Sequence, residues 1–317
     1  MTTSRKLLLG VLLSFLVLFS GHSVLALKQA ELLENPSPIQ NVQDLTLMPL
    51  LTSNYTSNTF VQVAKGLPVK TVDHIVVVVE ENHSYKKIVG SSKAPYMQSL
   101  IKQGALFTKA YAVTHPSQPN YLALFSGSTQ NVTDDSCKGP FSGGNLASEL
   151  KKAGLTFTGY SENLPKTGYT GCSTNVYARK HNPWAQFSNV PTTWNRPLTD
   201  FPKDFSKLPT VSFVIPNVKD DMHDGTIEEA DTWLKKYLGG YAAWAQEHNS
   251  LLIVTWDEDD FTKENRIPVI FVGQMIKPGT YSDKITHYRV LRTIEDLYHL
   301  SPLGHSSEAK AITSVWK

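Results

Sequence analysis

Residues His74-Ile75-Val76-Val77-Val78-Val79 form an almost unbroken β-branched run. A strand with one wet face alternates apolar and polar side chains. A run with no polar face has to be covered on both sides, which points to a central strand of a parallel sheet lying between two layers of helices. The sequence beyond residue 71 repeats this theme. Tyr96 to Gln103 predicts a helix ended by Gly104, and Ala105 to Val113 a strand. Asn145 is placed to cap a helix running to Gly154, with a strand from Leu155 to Tyr160. Thr210 to Ile215 predicts a further buried strand. Glu228 to Asn249 is the longest helical stretch, interrupted at Gly239-Gly240. Leu251 to Trp256 and Val269 to Val272 predict two more strands, and Arg289 to Leu297 a last short helix. The expected fold class is α/β, with a mainly parallel central sheet sandwiched by helices.

The 317 residues divide unevenly. Arg5 and Lys6 precede an apolar run from Leu7 to Phe19, and Val24-Leu25-Ala26 supplies small residues where a signal peptidase cuts. Residues 1–26 are therefore expected to be an export signal. The run is shorter than the ~20 residues a membrane span needs, so no stable span is expected after cleavage. Residues 27–70 are polar and turn-rich and are expected to be an N-terminal extension; residues 71–317 are expected to form the catalytic domain. Lys and Arg total 30 against 28 Asp and Glu. Arg5 and Lys6 account for the excess, so the mature chain is balanced, which argues against nucleic acid as a partner. The expected location is secreted or periplasmic. In an oxidising compartment the two cysteines, Cys137 and Cys172, are expected to pair, and the closed loop would be worth ~4 kcal/mol on the chain-entropy model.

In sheets of this kind ligands bind at the carboxyl ends of the strands. Those ends are rich in chemistry. The first strand runs into Glu80-Glu81-Asn82, the second into Thr114-His115-Pro116-Ser117, and the Thr210–Ile215 segment toward Asp220-Asp221-Met222-His223-Asp224. Leu251 to Trp256 leads into Asp257-Glu258-Asp259-Asp260. Ser117 precedes a helix-like segment and reads as its N-cap. A hydroxyl there also sits among free N–H groups suited to a phosphate. Glu81 with Asn82, and Asp257 with Glu258, offer oxygen ligands that favour Mg²⁺, Ca²⁺ or Mn²⁺. Such an ion would lower the hydroxyl pKa and make Ser117 a nucleophile. His223 and His287 are candidates to bind phosphoryl oxygens or protonate a leaving oxygen. His115, two residues from Ser117, and Asn120 are candidate substrate ligands. No P-loop, G-x-G-x-x-G, H-E-x-x-H or complete G-x-S-x-G motif is present.

Four segments in this order, Val76 to Tyr85, His115 to Tyr121, Trp256 to Glu258 and His287 to Leu297, are familiar together. From about residue 72 to 300 the chain resembles the bacterial phosphoesterase family. That family holds secreted acid phosphatases and non-haemolytic-type phospholipases C within the alkaline phosphatase superfamily. The resemblance implies an alkaline-phosphatase-like fold. It implies Glu81 and Asn82 as first-strand metal and phosphate ligands, and Ser117 as the nucleophile that becomes phosphorylated. It further implies Asp257 and Glu258 as the second metal-binding pair, and His223 and His287 as late histidines acting on phosphate or leaving group. Two-zinc alkaline phosphatases carry an Asp-His pair where this chain has Asp257-Glu258, so a single divalent metal ion is expected. The implied substrate is a small phosphate ester or a phospholipid head group, and the implied activity an acid phosphatase, with phospholipase C as the alternative. Gln118-Pro119-Asn120 after Ser117 does not fit the sulfatase context. An exported binding protein that turns nothing over is a remoter alternative.

Overall fold

The computed structural model describes residues 66–68 and 71–317. The export signal expected at 1–26 lies outside them, as does nearly all of the 27–70 extension. The β-branched run becomes β1 (His74–Glu80), with every residue after His74 buried. In chain order follow α1 (Pro95–Gln103), β2 (Ala105–Tyr111), α2 (Ser117–Ser126), α3 (Leu146–Lys152), β3 (Phe157–Ser161), β4 (Asn195–Pro197) and β5 (Val211–Ile215). The remaining strands and longer helices are α4 (Ile227–Glu247), β6 (Ser250–Trp256), β7 (Val269–Val272), β8 (Gly279–Thr286) and α5 (His287–Leu297). The strands form one eight-stranded sheet in the order β4-β3-β5-β1-β6-β7-β2-β8. Only β7 runs antiparallel to its neighbours, β6 and β2.

β1 sits between β5 and β6, both parallel to it, and pairs with β6 along its whole length from His74–Ser250 to Glu80–Trp256. That register delivers Glu81 and Asp257 side by side. The Asp257 N–H donates to the Glu80 carbonyl at 2.9 Å, and the Glu81 N–H to the Asp221 carbonyl at 2.9 Å. α1 packs against α4 and α2 against α5. Phe125 of α2, Phe157 of β3, Phe213 of β5 and Trp184 interlock in tilted and edge-on contacts. This packing explains Gly159 in mid-strand, since a Cβ there would lie 1.9 Å from the Trp184 ring.

The expected α3 cap is present: the Asn145 side chain accepts from the Ser148 N–H at 2.9 Å in a reciprocal capping box. α4 departs from expectation. It passes through Gly239-Gly240 unbroken, started by a Thr226–Glu229 capping box and held by the burial of Trp233, Leu234, Leu238 and Tyr241. Two helical glycines cost ~1 kcal/mol each relative to alanine, less than that packing contributes. β4 and β8 were not anticipated. β4 has only three residues, and β8 is an edge strand mostly open to solvent, with no apolar run.

Glu295 on α5 is buried without a cation on its oxygens. It accepts from the Leu303 N–H at 3.0 Å and the Ser306 hydroxyl at 2.6 Å. Burial pushes its carboxyl up to about 7 despite those bonds. A raised carboxyl pKa means the native state keeps a proton that the unfolded chain has released. Stability from this group is therefore present below pH 4.5 and lost as pH rises to 7, by about 3 kcal/mol. Glu295→Gln keeps the acceptor and the shape. The stability gap between the variant and wild type, from denaturant unfolding, should widen in the variant's favour across that window. A constant gap would show that Glu295 titrates normally.

Candidate active site

The site grows from the carboxyl ends of β1, β2, β5 and β6. Glu81, Asp257 and Glu258 are buried, and the Ser117 hydroxyl lies between the first and the last. Ser117 Oγ is 3.1 Å from Glu81 Oε2 and 3.2 Å from Glu258 Oε1. One hydroxyl carries one proton, so the two acids share it. The Asn82 N–H donates to Asp257 Oδ1 at 3.1 Å, from a left-handed backbone (φ 52°) that asparagine tolerates well. The sequence-predicted Glu81, Asn82, Ser117, Asp257 and Glu258 are thus brought together.

Ser117 does not cap its helix. Pro116 is the N-cap and makes no side-chain cap bond; Ser117 is the first helical residue, so its side chain is free to face the acids. α2 itself is buried all round, as befits a helix entering the middle of the molecule.

On the other side of Glu81 stand nitrogens that sequence reasoning missed. His181 is buried, with Nε2 2.9 Å from Glu81 Oε1 and Nδ1 3.1 Å from Asp221 Oδ2. Its ring stacks on Tyr121 at 5.1 Å, and the Tyr121 hydroxyl donates to Glu81 Oε1 at 2.7 Å. Lys180 Nζ is 2.7 Å from Asp135 Oδ2 and 3.3 Å from His223 Nε2. Asp135 in turn accepts the Gln118 N–H at 2.8 Å, which ties this arm to the start of α2. Arg179 anchors the segment to the disulfide. Cys137 and Cys172 are paired, and the Arg179 guanidinium donates to the Cys137 carbonyl at 2.6 Å and faces both sulfurs. His223 is half-buried, with Nδ1 2.9 Å from Asp224 and its N–H donating to Asp221 at 2.8 Å.

Other expected residues sit elsewhere. All four bonds of the Asn120 amide are spent inside its own loop. It accepts from the N–H groups of Val113 and Thr114, and donates to the carbonyls of Thr114 and Pro116. Nothing remains for a substrate, so Asn120 shapes the Ser117 turn instead. His287 lies buried behind Asp257, its Nε2 donating to the Asp257 carbonyl at 2.6 Å. Burial lowers its pKa to about 4 and keeps it neutral, so it holds Asp257 in place rather than meeting a leaving group. His115 is a quarter exposed and hydrogen-bonds Glu258 through Nδ1.

Electrostatics divide the site in two. Burial opposes the Glu81 charge, but His181, with His223 and Lys180 behind it, holds the carboxyl at about 2. Burial likewise opposes the His181 charge, and Glu81 and Asp221 outweigh it, raising that pKa to about 9. Burial opposes the charge on Lys180 too, and Glu81, Asp135 and Asp257 overcome it. Among the oxygens the signs reverse. Burial and then repulsion from Glu81 and Glu258 push Asp257 well up, and burial lifts Glu258 to about 7 against the pull of His115. Asp257 Oδ2 and Asn82 Oδ1 are buried and have no hydrogen-bond partner among the described residues.

Crowded acids with orphaned oxygens fit a hard divalent cation, and the donor set is all oxygen: Glu81, Asn82, Asp257 and Glu258. Ligand atoms of Glu81, His181 and His223 also lie within 4.8 Å of one another. Both ring nitrogens of His181 face carboxylates, however, and a protonated imidazole has no lone pair to give. Two donor sets thus share Glu81: the oxygens toward Ser117, and the imidazoles on its other side.

A family model for the phosphoesterase family matches residues 91–301. A phosphatidylinositol-3-phosphatase of Mycobacterium tuberculosis is 52% identical over 258 residues, covering 80% of this chain and 85% of that protein. A probable acid phosphatase of Kluyveromyces lactis is 31% identical over 262 residues, covering 75% of this chain but only 61% of that longer protein. Among solved structures, a protein in the alkaline phosphatase superfamily from Vibrio parahaemolyticus superposes with a TM-score of 0.52 at 14% identity, over 76% of this chain and 71% of its own; this is a likeness of fold.

Proposed function

Because this chain belongs to the phosphoesterase family and is a phosphoric ester hydrolase, we propose that it is an exported, metal-dependent phosphomonoesterase that works through a phosphorylated Ser117. The observation that carries the proposal is the buried Ser117 hydroxyl, 3.1 and 3.2 Å from two acids, with Lys180, His181 and His223 grouped beyond Glu81. A relative of high identity named as a phosphatidylinositol-3-phosphatase makes a lipid head-group monoester the favoured substrate class. On this reading residues 1–26 direct export and residues 71–317 carry the chemistry.

In the proposed reaction the phosphoryl group lies against the nitrogen side. Lys180 and His223 face its oxygens, and His181 keeps Glu81 ionised and aimed. Ser117 Oγ attacks phosphorus in line with the departing ester oxygen. The serine proton passes to Glu258, whose Oε1 lies 3.2 Å from the hydroxyl. The O–P bond to serine forms as the ester O–P bond breaks, and His223 supplies a proton to the leaving alcohol. Water then attacks the phosphoserine with the roles of acid and base reversed, releasing phosphate and restoring the hydroxyl. A divalent ion held by Glu81, Asn82, Asp257 and Glu258 would supply positive charge for the phosphoryl oxygens and for the ionising serine.

The test is trapping. An acid quench during turnover of an aryl phosphate is expected to leave one phosphoryl group on the peptide carrying Ser117, found by mass spectrometry, with a burst of alcohol ahead of steady state. Turnover with neither the burst nor the modified peptide would mean direct attack by water.

A further inference from the structure

The Cys137–Cys172 disulfide has two unlike ends. Cys172 is exposed, at the foot of a tight hairpin closed by the Ser173–Ala178 bridge. Cys137 is half-buried beneath Arg179. Nε and Nη2 of that guanidinium lie 3.1 and 2.9 Å from the Cys137 sulfur, while Nη2 is 3.4 Å from the Cys172 sulfur. A disulfide sulfur is a weak acceptor, so a buried cation gains little from it. A thiolate sulfur carries a full charge, and the same contacts then become charge-assisted. The guanidinium is therefore placed for the charge that arises when the bond opens with Cys137 as the leaving sulfur. Cys137 also sits at φ 59°, a left-handed backbone that a non-glycine residue holds at a cost and can relax once the link is cut.

Both ends lead into the site. Asp135, two residues before Cys137, accepts the N–H of Gln118, the neighbour of Ser117, and holds Lys180 Nζ at 2.7 Å. Arg179 directly precedes Lys180 and His181, and its own N–H donates to the Cys172 carbonyl at 2.8 Å. The cross-link thus ties the loop at the start of α2 to the hairpin that delivers the nitrogen arm. We propose that Cys172 is a site of exchange with small thiols, and that opening the disulfide there weakens phosphate binding. A thiolate attacks the exposed Cys172 sulfur. The new S–S bond forms as the old one breaks, and the electron pair leaves on Cys137, beside Arg179. A second thiolate then attacks the small thiol's sulfur in this mixed disulfide and frees Cys172 as a thiolate. Two electrons have passed to the protein, and the two small thiols depart joined as a disulfide. Hydrogen bonds and ion pairs alone then hold the arm, so Lys180 and His181 lose their fixed place beside Glu81. The effect on binding rests on the proposed place of Lys180 at the phosphoryl oxygens; the exchange chemistry does not.

Two measurements test it. The folded protein is treated with excess reduced glutathione and quenched with iodoacetamide. Peptide mass spectrometry is expected to find glutathione on Cys172 and the alkyl group on Cys137, and Arg179→Gln should slow the exchange about tenfold. Glutathione on Cys137, or equally on both, overturns the assignment of the leaving sulfur. Under a dithiol, kcat/KM for an aryl phosphate should fall and the Ki of inorganic phosphate should rise, each about tenfold, and both should recover on reoxidation. The Cys137→Ser/Cys172→Ser variant should match the reduced protein and ignore the dithiol. Near-UV circular dichroism of reduced wild type keeps the test independent of whether that variant folds. Exchange that leaves Ki unchanged overturns the link to phosphate binding, and so does a loss of activity that comes with loss of the near-UV signal, which is unfolding. An oxidised protein that hydrolyses no phosphate ester overturns the parent reading instead, while the masses still decide the exchange.

Discussion

Ser117→Ala is expected to fold normally and to lose phosphoester turnover by at least about a thousandfold. The two halves of this expectation come from different contacts. Ser117 stands at the first helical position with no side-chain cap bond, so alanine removes nothing from the start of α2. What it removes is the one hydroxyl shared by Glu81 and Glu258. Those acids lose a donor, but Glu258, whose carboxyl burial lifts to about 7, can keep its own proton, so the structural cost stays small. Had the hydroxyl been a helix cap, alanine would have cost ~1 kcal/mol and left turnover nearly intact. A thermal melt beside kcat on an aryl phosphate separates these outcomes. A variant retaining turnover within tenfold of wild type would remove Ser117 from the chemistry.

The sequence revealed those parts of the site that sit at the ends of apolar strands. β1 was legible because six residues without a polar face admit one environment, and Glu81 became a candidate because it follows them. Asp257 and Glu258 were legible for the same reason after β6. The register of β1 with β6, which sets the two acids side by side, is a tertiary fact that periodicity does not carry. His181 and Lys180 were missed because they lie in a long irregular stretch between β3 and β4, in a single 3₁₀ turn. A signal was present: Arg179-Lys180-His181 sets three basic residues together, shortly after Cys172, whose disulfide partner Cys137 follows the Ser117 helix. His287 was read as a site residue from its place before the last helix and from the family resemblance, and Asn120 from its nearness to Ser117. Side-chain direction decided otherwise, turning one behind Asp257 and the other into its own loop. Gly239-Gly240 misled in the opposite sense, since local propensity for a break lost to the packing of α4.

Asp257→Asn is expected to have effects of opposite sign with and without a divalent ion. In the metal-free protein Asp257 is buried beside Glu81 and Glu258, and one of its oxygens has no partner. Burial and like charge raise its pKa, so the native state holds a proton that the unfolded chain releases above about pH 4. Stability is therefore lost as pH climbs from there. Asparagine is neutral, keeps an oxygen for the Asn82 N–H, and escapes that loss. The chelated variant should melt a few degrees above chelated wild type, by a margin that grows with pH. Adding Mg²⁺, Mn²⁺ or Ca²⁺ should invert the order. Wild type gains in Tm because binding to the native state alone stabilises it, whereas the variant, with a ligand charge gone, gains little. Its turnover should fall at least about a hundredfold. The same acids that destabilise the empty fold are those a cation would neutralise, so the cost of crowding them is recovered only on binding. If chelated Asp257→Asn instead melts lower than chelated wild type at every pH, Asp257 is a structural anchor and the cation cradle must be sought elsewhere.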